Sequence, residues 1–290
     1  MAAEREFDLI VIGSGPGGEG AAMRATKDGA TVAVVERHRE VGGGCTHWAT
    51  IPSKSLRHSV GELLRFRRHP LFSALSNSID VSFPALLRAA ETVIVRQVEM
   101  RHEFYRRNHV AVFHGHASFV DASILNIQSG DERQRIRGKK FVIATGAHPY
   151  RPPDVDFTHE SVKDSDTILK LNRTPDSITI YGAGVIGCEY ASIFRSLGIK
   201  VNLINSRDRL LAFLDDEIID ALTYHLRDQG VVIRHDEEYE KVETLGDGVV
   251  LHLKSGKRIK SDVLLWAQGR TGNTQKLGLD QVGLTANQRG

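Results

Sequence analysis

Thiols are scarce in this chain: its 290 residues include two cysteines, Cys45 and Cys188. Two thiols this far apart make no disulfide framework and suit a reducing compartment, so a cytoplasmic setting is expected. Long apolar runs are missing too, and the first residues show no basic stretch leading into an apolar core. Neither a membrane span nor a secretory leader is expected. Charge of one sign is not in excess either, since 38 basic residues nearly cancel 36 acidic ones and the formal net charge is +2. Nucleic-acid binding needs clustered positive charge, so no nucleic-acid partner is expected. The densest basic run, LRFRRHP (Leu64 to Pro70), reads as a solvated helix end. No Cys or His cluster has metal-ligand spacing, and no metal is expected.

What is present is a globular balance of 41% apolar and 26% charged residues, over a length that suits about two domains. The strongest stretch is FDLIVIGSGPGGEGAAMRATKDGATVAVVERH. A strand over Leu9 to Ile12 runs into Gly13, Ser14, Gly15, Pro16, Gly17 and Gly18. An alanine-rich helix and a second strand, Thr31 to Val35, then lead to Glu36 and Arg37. In a dinucleotide fold Gly13 permits the tight turn, Gly15 lets backbone approach a pyrophosphate, and Gly18 lets helix and strand pack closely. The helix N-terminus offers free N–H groups to phosphate, and Glu36 can accept hydrogen bonds from ribose hydroxyls. This fingerprint fits FAD and NAD equally.

A second copy, SITIYGAGVIGCEYASIF, repeats the spacing with Gly182, Gly184 and Gly187 and carries Val185 and Ile186 between them. Asn205 now stands where Glu36 stood, with Arg207 and Arg209 following. Loss of the carboxylate removes its repulsion of a 2′-phosphate, and the arginines can pair with one. Asn205 can still bond a ribose hydroxyl, so this loop reads as open to both NAD and NADP. Two such units imply an α/β fold with two Rossmann-like domains.

With both loops and GGGCTHWATIPSK (Gly42 to Lys54) in view, the chain resembles the FAD-dependent pyridine nucleotide-disulfide oxidoreductases. The resemblance extends to KKFVIATGAHPYRP and LLWAQGRTGNT. It implies an FAD domain with the NAD(P) domain inserted in it: 1–152 as a first FAD segment, 153–270 for NAD(P), and 271–290 opening a returning FAD segment. It assigns FAD to the first loop, Glu36, Arg37, Gly42, Gly43, Gly44, Cys45, Lys54, His116, Ala117, Thr145 and Gly146. NAD(P) goes to the second loop, Glu189, Asn205, Arg207, Arg209 and Gly269. It also implies that Lys54 and Glu189 pair beside the flavin, with Cys45 adjacent to it.

At one position the chain departs from that family's pattern. Where the redox loop carries a second cysteine, this chain has Thr50. Two thiols can store two electrons as a dithiol, and one cannot. Cys45 then reads either as a small buried residue or as a reactive thiol, and Cys188 as helix packing. Among thirteen histidines, His47 reads as a surface residue. The narrower pattern, CTHWATIPSK with GAGVIGCEYASIF, is similar to the soluble Si-specific pyridine nucleotide transhydrogenases. That resemblance implies hydride transfer between NADPH and NAD⁺ through FAD, without a redox disulfide. An NAD(P)H oxidase or diaphorase, or a nucleotide-binding fragment without turnover, are the alternatives. The remainder of the FAD segment and a dimerisation domain are expected to lie outside this chain, which reads as a fragment. A homo-oligomer is expected of the full-length family and is doubtful for this chain. Phe83 to Val110 reads as one long amphipathic helix, and the strand-like stretch after it as an antiparallel excursion.

Overall fold

The β-branched runs before and after each glycine loop form parallel strands buried on both faces, as such runs do when glycine bounds them. The computed structural model describes residues 5–72 and 81–290. They fall into two units: Met1–Pro52, Glu91–His148 and Arg270–Gly290 form one, and Ser53–Ala90 and Pro149–Gly269 the other. The fold class is α/β, and most of the second unit is inserted in the sequence of the first.

The first unit opens with β1 (Arg5–Ile12), α1 (Pro16–Lys27), β2 (Val32–Glu36) and the short α2 (Gly43–His47). Helix α3 (Thr50–Arg68) passes into the second unit and α4 (Phe83–Arg107) returns from it. Then come β3 (Ala111–His114), β4 (His116–Phe119), β5 (Ile124–Ser129) and β6 (Glu132–Ile143). They make a six-stranded sheet in the order β3-β2-β1-β6-β5-β4. Strand β1 runs parallel to β2 and β6, while β4, β5 and β6 are antiparallel neighbours. The expected antiparallel excursion starts one strand later than the sequence suggested, because β3 pairs parallel with β2. A strand that follows a helix crossover enters the sheet parallel, and α4 supplies that crossover.

Alternation along β1 divides the core of this unit. Ile10 and Ile12 join Ala33, Val35, Leu125, Ile127, Ile136 and Leu277 in one cluster. Val11 joins Ala22, Val32, Val34, Val41, Tyr105 and Val110 in another. Arg101 of α4 is 8% exposed, and its Nε lies 2.9 Å from Glu19 Oε2 in the first turn of α1. The pair fixes the helix that carries the first phosphate loop. Burial, reinforced by the charge of Glu19, pushes the Tyr105 phenol above its ordinary range.

Strand β7 (Ala147–Pro149) leads out of the first unit, and the second then takes the chain through β8 (Val162–Asp164), β9 (Ser177–Tyr181), α5 (Val185–Ser196) and β10 (Lys200–Ile204). Helix α6 (Asp216–Asp228) and β11 (Val232–Arg234) follow. Asp215 caps α6 by accepting from Glu217 N at 3.0 Å. A meander of β12 (Tyr239–Leu245), β13 (Gly248–Leu253) and β14 (Arg258–Ser261) then leads to β15 (Val263–Trp266). The main sheet has five parallel strands in the order β11-β10-β9-β15-β8. Back in the first unit, β16 (Arg270–Gly272) pairs with β7.

Residues 53–90 belong to this second unit, whereas the sequence division kept all of 1–152 together. The reason is burial: Leu56, Val60, Phe83 and Leu86 join the cluster built on Ile178, Ile180, Ile193 and Phe194. The rings of Phe83 and Phe194 lie 4.9 Å apart.

Candidate functional site

The two glycine loops share one backbone geometry. Gly13 N donates to Val35 O at 2.8 Å, and Gly182 N donates to Ile204 O at 2.9 Å. Each glycine has a positive φ, +105 and +113 degrees, and a side chain there would strike the carbonyl of Ala144 or of Ala267. At Gly18 and Gly187 a Cβ would fall 1.9 and 1.8 Å from the carbonyl oxygens of Gly13 and Gly182. Both positions therefore require glycine by contact with backbone, which does not yield.

The faces of the loops that a pyrophosphate needs are open. Gly17 and Gly184 have nothing within 4 Å of a would-be Cβ, and Gly15 meets only Gly43 Cα at 3.9 Å. Gly15 and Gly184 are the N-caps of α1 and α5, and neither helix start is satisfied by a side-chain cap. Free N–H groups at a helix N-terminus in an open backbone cradle fit a dinucleotide phosphate. Pro16 at the helix start gives up no hydrogen bond, and Val185 stands 58% exposed at the corresponding place while Ile186 packs inward.

The matched hydrogen bonds make Glu36 and Asn205 structural equivalents, each one residue past the strand carbonyl that holds the loop glycine. Their surroundings differ. Glu36 is 4% exposed; its Oε2 accepts from Ser14 N at 3.0 Å and Ser14 Oγ at 2.6 Å, and its Oε1 from His38 N at 2.9 Å. Ser14 Oγ in turn accepts from Gly42 N at 2.9 Å. These bonds join the phosphate loop, the acid and the Gly42–Gly44 loop into one network, and Glu36 Oε1, which accepts one bond, retains acceptor capacity for a ribose. In the second unit Ala183 replaces Ser14, so no hydroxyl ties Asn205 to its loop. Its Nδ2 instead donates to Arg209 O at 2.8 Å and faces His235 Nδ1 at 3.3 Å. Arg209 Nη1 lies 2.5 Å from Asp216 Oδ1, while the Arg207 side chain is exposed and has no partner among the described residues.

Cys45 lies half-buried in α2 and Thr50 starts α3. His47, expected at the surface, is half-buried with Nε2 2.9 Å from Val41 O. Burial pushes the Cys188 thiol up to about 11, so at neutral pH it packs as a thiol behind the second loop. Lys54 and Glu189 are brought together within the second unit: Nζ and Oε1 are 2.5 Å apart, with side chains 61% and 18% exposed. Exposure of the lysine limits the pair's contribution to stability to about 1 kcal/mol or less, so the pair orients a charge more than it holds the fold. Among the described residues no group of His, Cys, Asp or Glu is placed to hold a metal ion.

His116 and Ala117 open β4, and Gly269 O accepts from Tyr150 N at 3.0 Å. Thr145 and Gly146 stand in the turn after β6, and here the sequence reading missed a partner. Asn273 Nδ2 donates to Thr145 O at 2.9 Å, its N donates to Gly146 O at 2.9 Å, and its Oδ1 lies 2.7 Å from His148 Nδ1. The only sequence signal was an asparagine between Gly272 and Thr274, which reads as an ordinary turn.

The family model described as pyridine nucleotide-disulphide oxidoreductase matches residues 7–290. The chain belongs to that family. FAD and a nicotinamide nucleotide are the cofactors of this oxidoreductase family, and two open glycine loops are present to match them. A soluble pyridine nucleotide transhydrogenase from Yersinia enterocolitica is 59% identical over 285 residues, covering 98% of this chain and 61% of that protein. One from Erwinia tasmaniensis is 57% identical over 291 residues, covering 100% and 62%. The chain therefore spans about 61% of the length of such relatives. Among solved structures, the flavoprotein disulfide reductase RclA from Escherichia coli aligns with a TM-score of 0.86 at 27% identity, over 99% of this chain and 62% of its own. LpdA from Mycobacterium tuberculosis has a TM-score of 0.90 at 23% identity, over 98% and 63%, a likeness of fold. No helix among the described residues is long and apolar enough to cross a membrane.

Proposed function

We propose that this chain is the nucleotide-binding part of a transhydrogenase catalysing NADPH + NAD⁺ ⇌ NADP⁺ + NADH, the first unit holding FAD and the second NAD(P). The observation that carries the reading is Thr50 in place of a second cysteine in an otherwise conforming FAD and NAD(P) framework. Bound FAD supplies a two-electron carrier that accepts hydride from one nicotinamide and returns it to another. Without a dithiol, no relay carries those electrons to a disulfide.

The chain's own residues bind and orient. Loop N–H groups at the starts of α1 and α5 hold the two pyrophosphates, and Glu36 accepts from the adenosine ribose of FAD. Within the second unit Glu189 fixes the Lys54 ammonium, and the family resemblance implies that this positive charge serves the flavin. The relatives' shared name supports this reading, as do the two free cysteines for a cytoplasmic location. The longer protein is proposed to be a homo-oligomer.

The test uses the purified chain reconstituted with FAD, desalted, and kept anaerobic. NADPH is expected to bleach the flavin absorbance and NAD⁺ to restore it, and no disulfide substrate should be reduced. Recovery only on admitting oxygen would replace the proposal with an NAD(P)H oxidase, and a colourless chain that binds NADPH would make it a nucleotide-binding fragment. Disulfide reduction by the chain with Thr50 in place would overturn the argument from the missing thiol.

A further inference from the structure

The second loop has to serve two nucleotides that differ only at the adenosine 2′ position, where NADP carries a phosphate and NAD a hydroxyl. Asn205 is 5% exposed and follows β10, at the place where Glu36 meets its loop. A backbone carbonyl only accepts, so the amide group facing Arg209 O at 2.8 Å must be the NH₂. His235 Nδ1, 3.3 Å from the same nitrogen, can meet an NH₂ only as an acceptor. Two acceptors on one side lock the amide against rotation. The oxygen Oδ1 is left with no protein partner among the described residues, and it is not among the buried unpaired polar atoms, so solvent reaches it.

A fixed acceptor distinguishes the two nucleotides. A ribose 2′-hydroxyl donates to it, whereas a 2′-phosphate dianion has only oxygens to offer and would be repelled. The phosphate needs a cation, and the two nearby arginines are not equivalent. Arg209 is held by Asp216 at 2.5 Å, with Asp208 at 3.8 Å. Arg207 is exposed and has no side-chain partner among the described residues, while its backbone O accepts from Asp236 N at 3.2 Å. That bond ties its place in the loop to the segment that carries His235.

An asparagine at the 2′-hydroxyl and an arginine at the 2′-phosphate are what the sequence already implies; we infer that His235 sets this division by orienting the asparagine, and that Arg207 alone is its cation. The Asn205 amide oxygen, oriented by Arg209 O and His235 Nδ1, takes the 2′-hydroxyl of NAD(H), and the Arg207 guanidinium takes the 2′-phosphate of NADP(H). His235 is a positioning residue for the first of these and plays no part in the second. The inference rests on the proposal that the second unit binds NAD(P), and it adds His235 as the residue that orients Asn205, and Arg207 rather than the Asp216-bound Arg209 as the cation.

The test measures dissociation constants of NADH and NADPH for the FAD-reconstituted chain by equilibrium dialysis, with 5′-AMP and adenosine 2′,5′-bisphosphate as probes of the adenosine half. Arg207→Ala is expected to weaken NADPH and the bisphosphate by about tenfold or more, the loss of a charge-assisted bond, with NADH and 5′-AMP within about twofold. Arg209→Ala should change the NADH-to-NADPH ratio by less than about threefold. His235→Ala should weaken NADH by about threefold and spare NADPH, and His235→Asn, which puts an acceptor back near Nδ1, should restore NADH. A structural role alone would shift both nucleotides together and would not be rescued. Equal losses for both nucleotides in Arg207→Ala, or an unchanged ratio in His235→Ala, overturn the division. If wild-type chain binds neither nucleotide nor either probe, the nucleotide-site proposal itself falls with it.

Discussion

At the scale of single residues, Gly43 shows how close backbone contact builds the first phosphate loop. A Cβ on Gly43, where φ is +59 degrees, would lie 2.8 Å from Gly15 Cα. Two loops distant in sequence are thus stacked backbone on backbone, and Ser14 Oγ accepts from Gly42 N on the same side. Gly43→Ala is expected to destabilise the chain by about 1–3 kcal/mol through overlap and left-handed strain, read as a lower urea midpoint with unchanged slope. Gly17→Ala, with nothing within 4 Å, is the control and should stay within about 0.5 kcal/mol. The spacing of Gly13, Gly15 and Gly18 was legible in the sequence because Gly13 and Gly18 demand glycine by local backbone contact and Gly15 leaves the room a pyrophosphate needs. The partnership of Gly43 with Gly15 was not, since GGG reads equally well as a flexible loop. The lock on Asn205 was hidden likewise, because His235 and Arg209 O approach it through folding.

At the scale of elements, the meander after α6 carries a pH dependence through a buried acid. Glu237 is 4% exposed just before β12, bonded by Lys257 Nζ and, at 2.7 Å, by Ser255 Oγ. The Lys257 bond, then the Ser255 bond, hold its carboxyl below the ordinary carboxylate range. With the folded pKa depressed, this contribution to stability is fully present above the unfolded value near 4.5 and is lost as pH falls through the lower, folded one. Glu237→Gln should therefore lower the thermal midpoint at pH 7 and shrink the further drop between pH 5 and pH 3. A variant whose midpoint falls with acid as steeply as wild type's would contradict this. Element type was readable here, as it was for α4, from apolar periodicity. Partnership was not: the pattern that makes Phe83 and Leu86 core residues does not name Phe194 or Ile193 as their neighbours.

At the scale of the whole molecule, the second unit is not a contiguous stretch. Its core draws Leu56, Val60, Phe83 and Leu86 from the segment before the insertion. Residues 149–269 expressed alone would expose the surfaces these four cover, at a cost of several kcal/mol given about 1.5–3 kcal/mol for each large apolar side chain. The excised segment is expected to melt well below the full chain or to bind a hydrophobic dye, and adding 53–90 through a linker should recover cooperative unfolding. Equal melting temperatures for the segment and the chain would refute the shared core. The same interleaving has a covalent consequence. The polypeptide passes from one unit to the other after Pro52, after Ala90, after His148 and after Gly269. A protease that nicks one of these crossings leaves the other three intact, so bands on a denaturing gel would record cleavage long before the halves were chemically free to part.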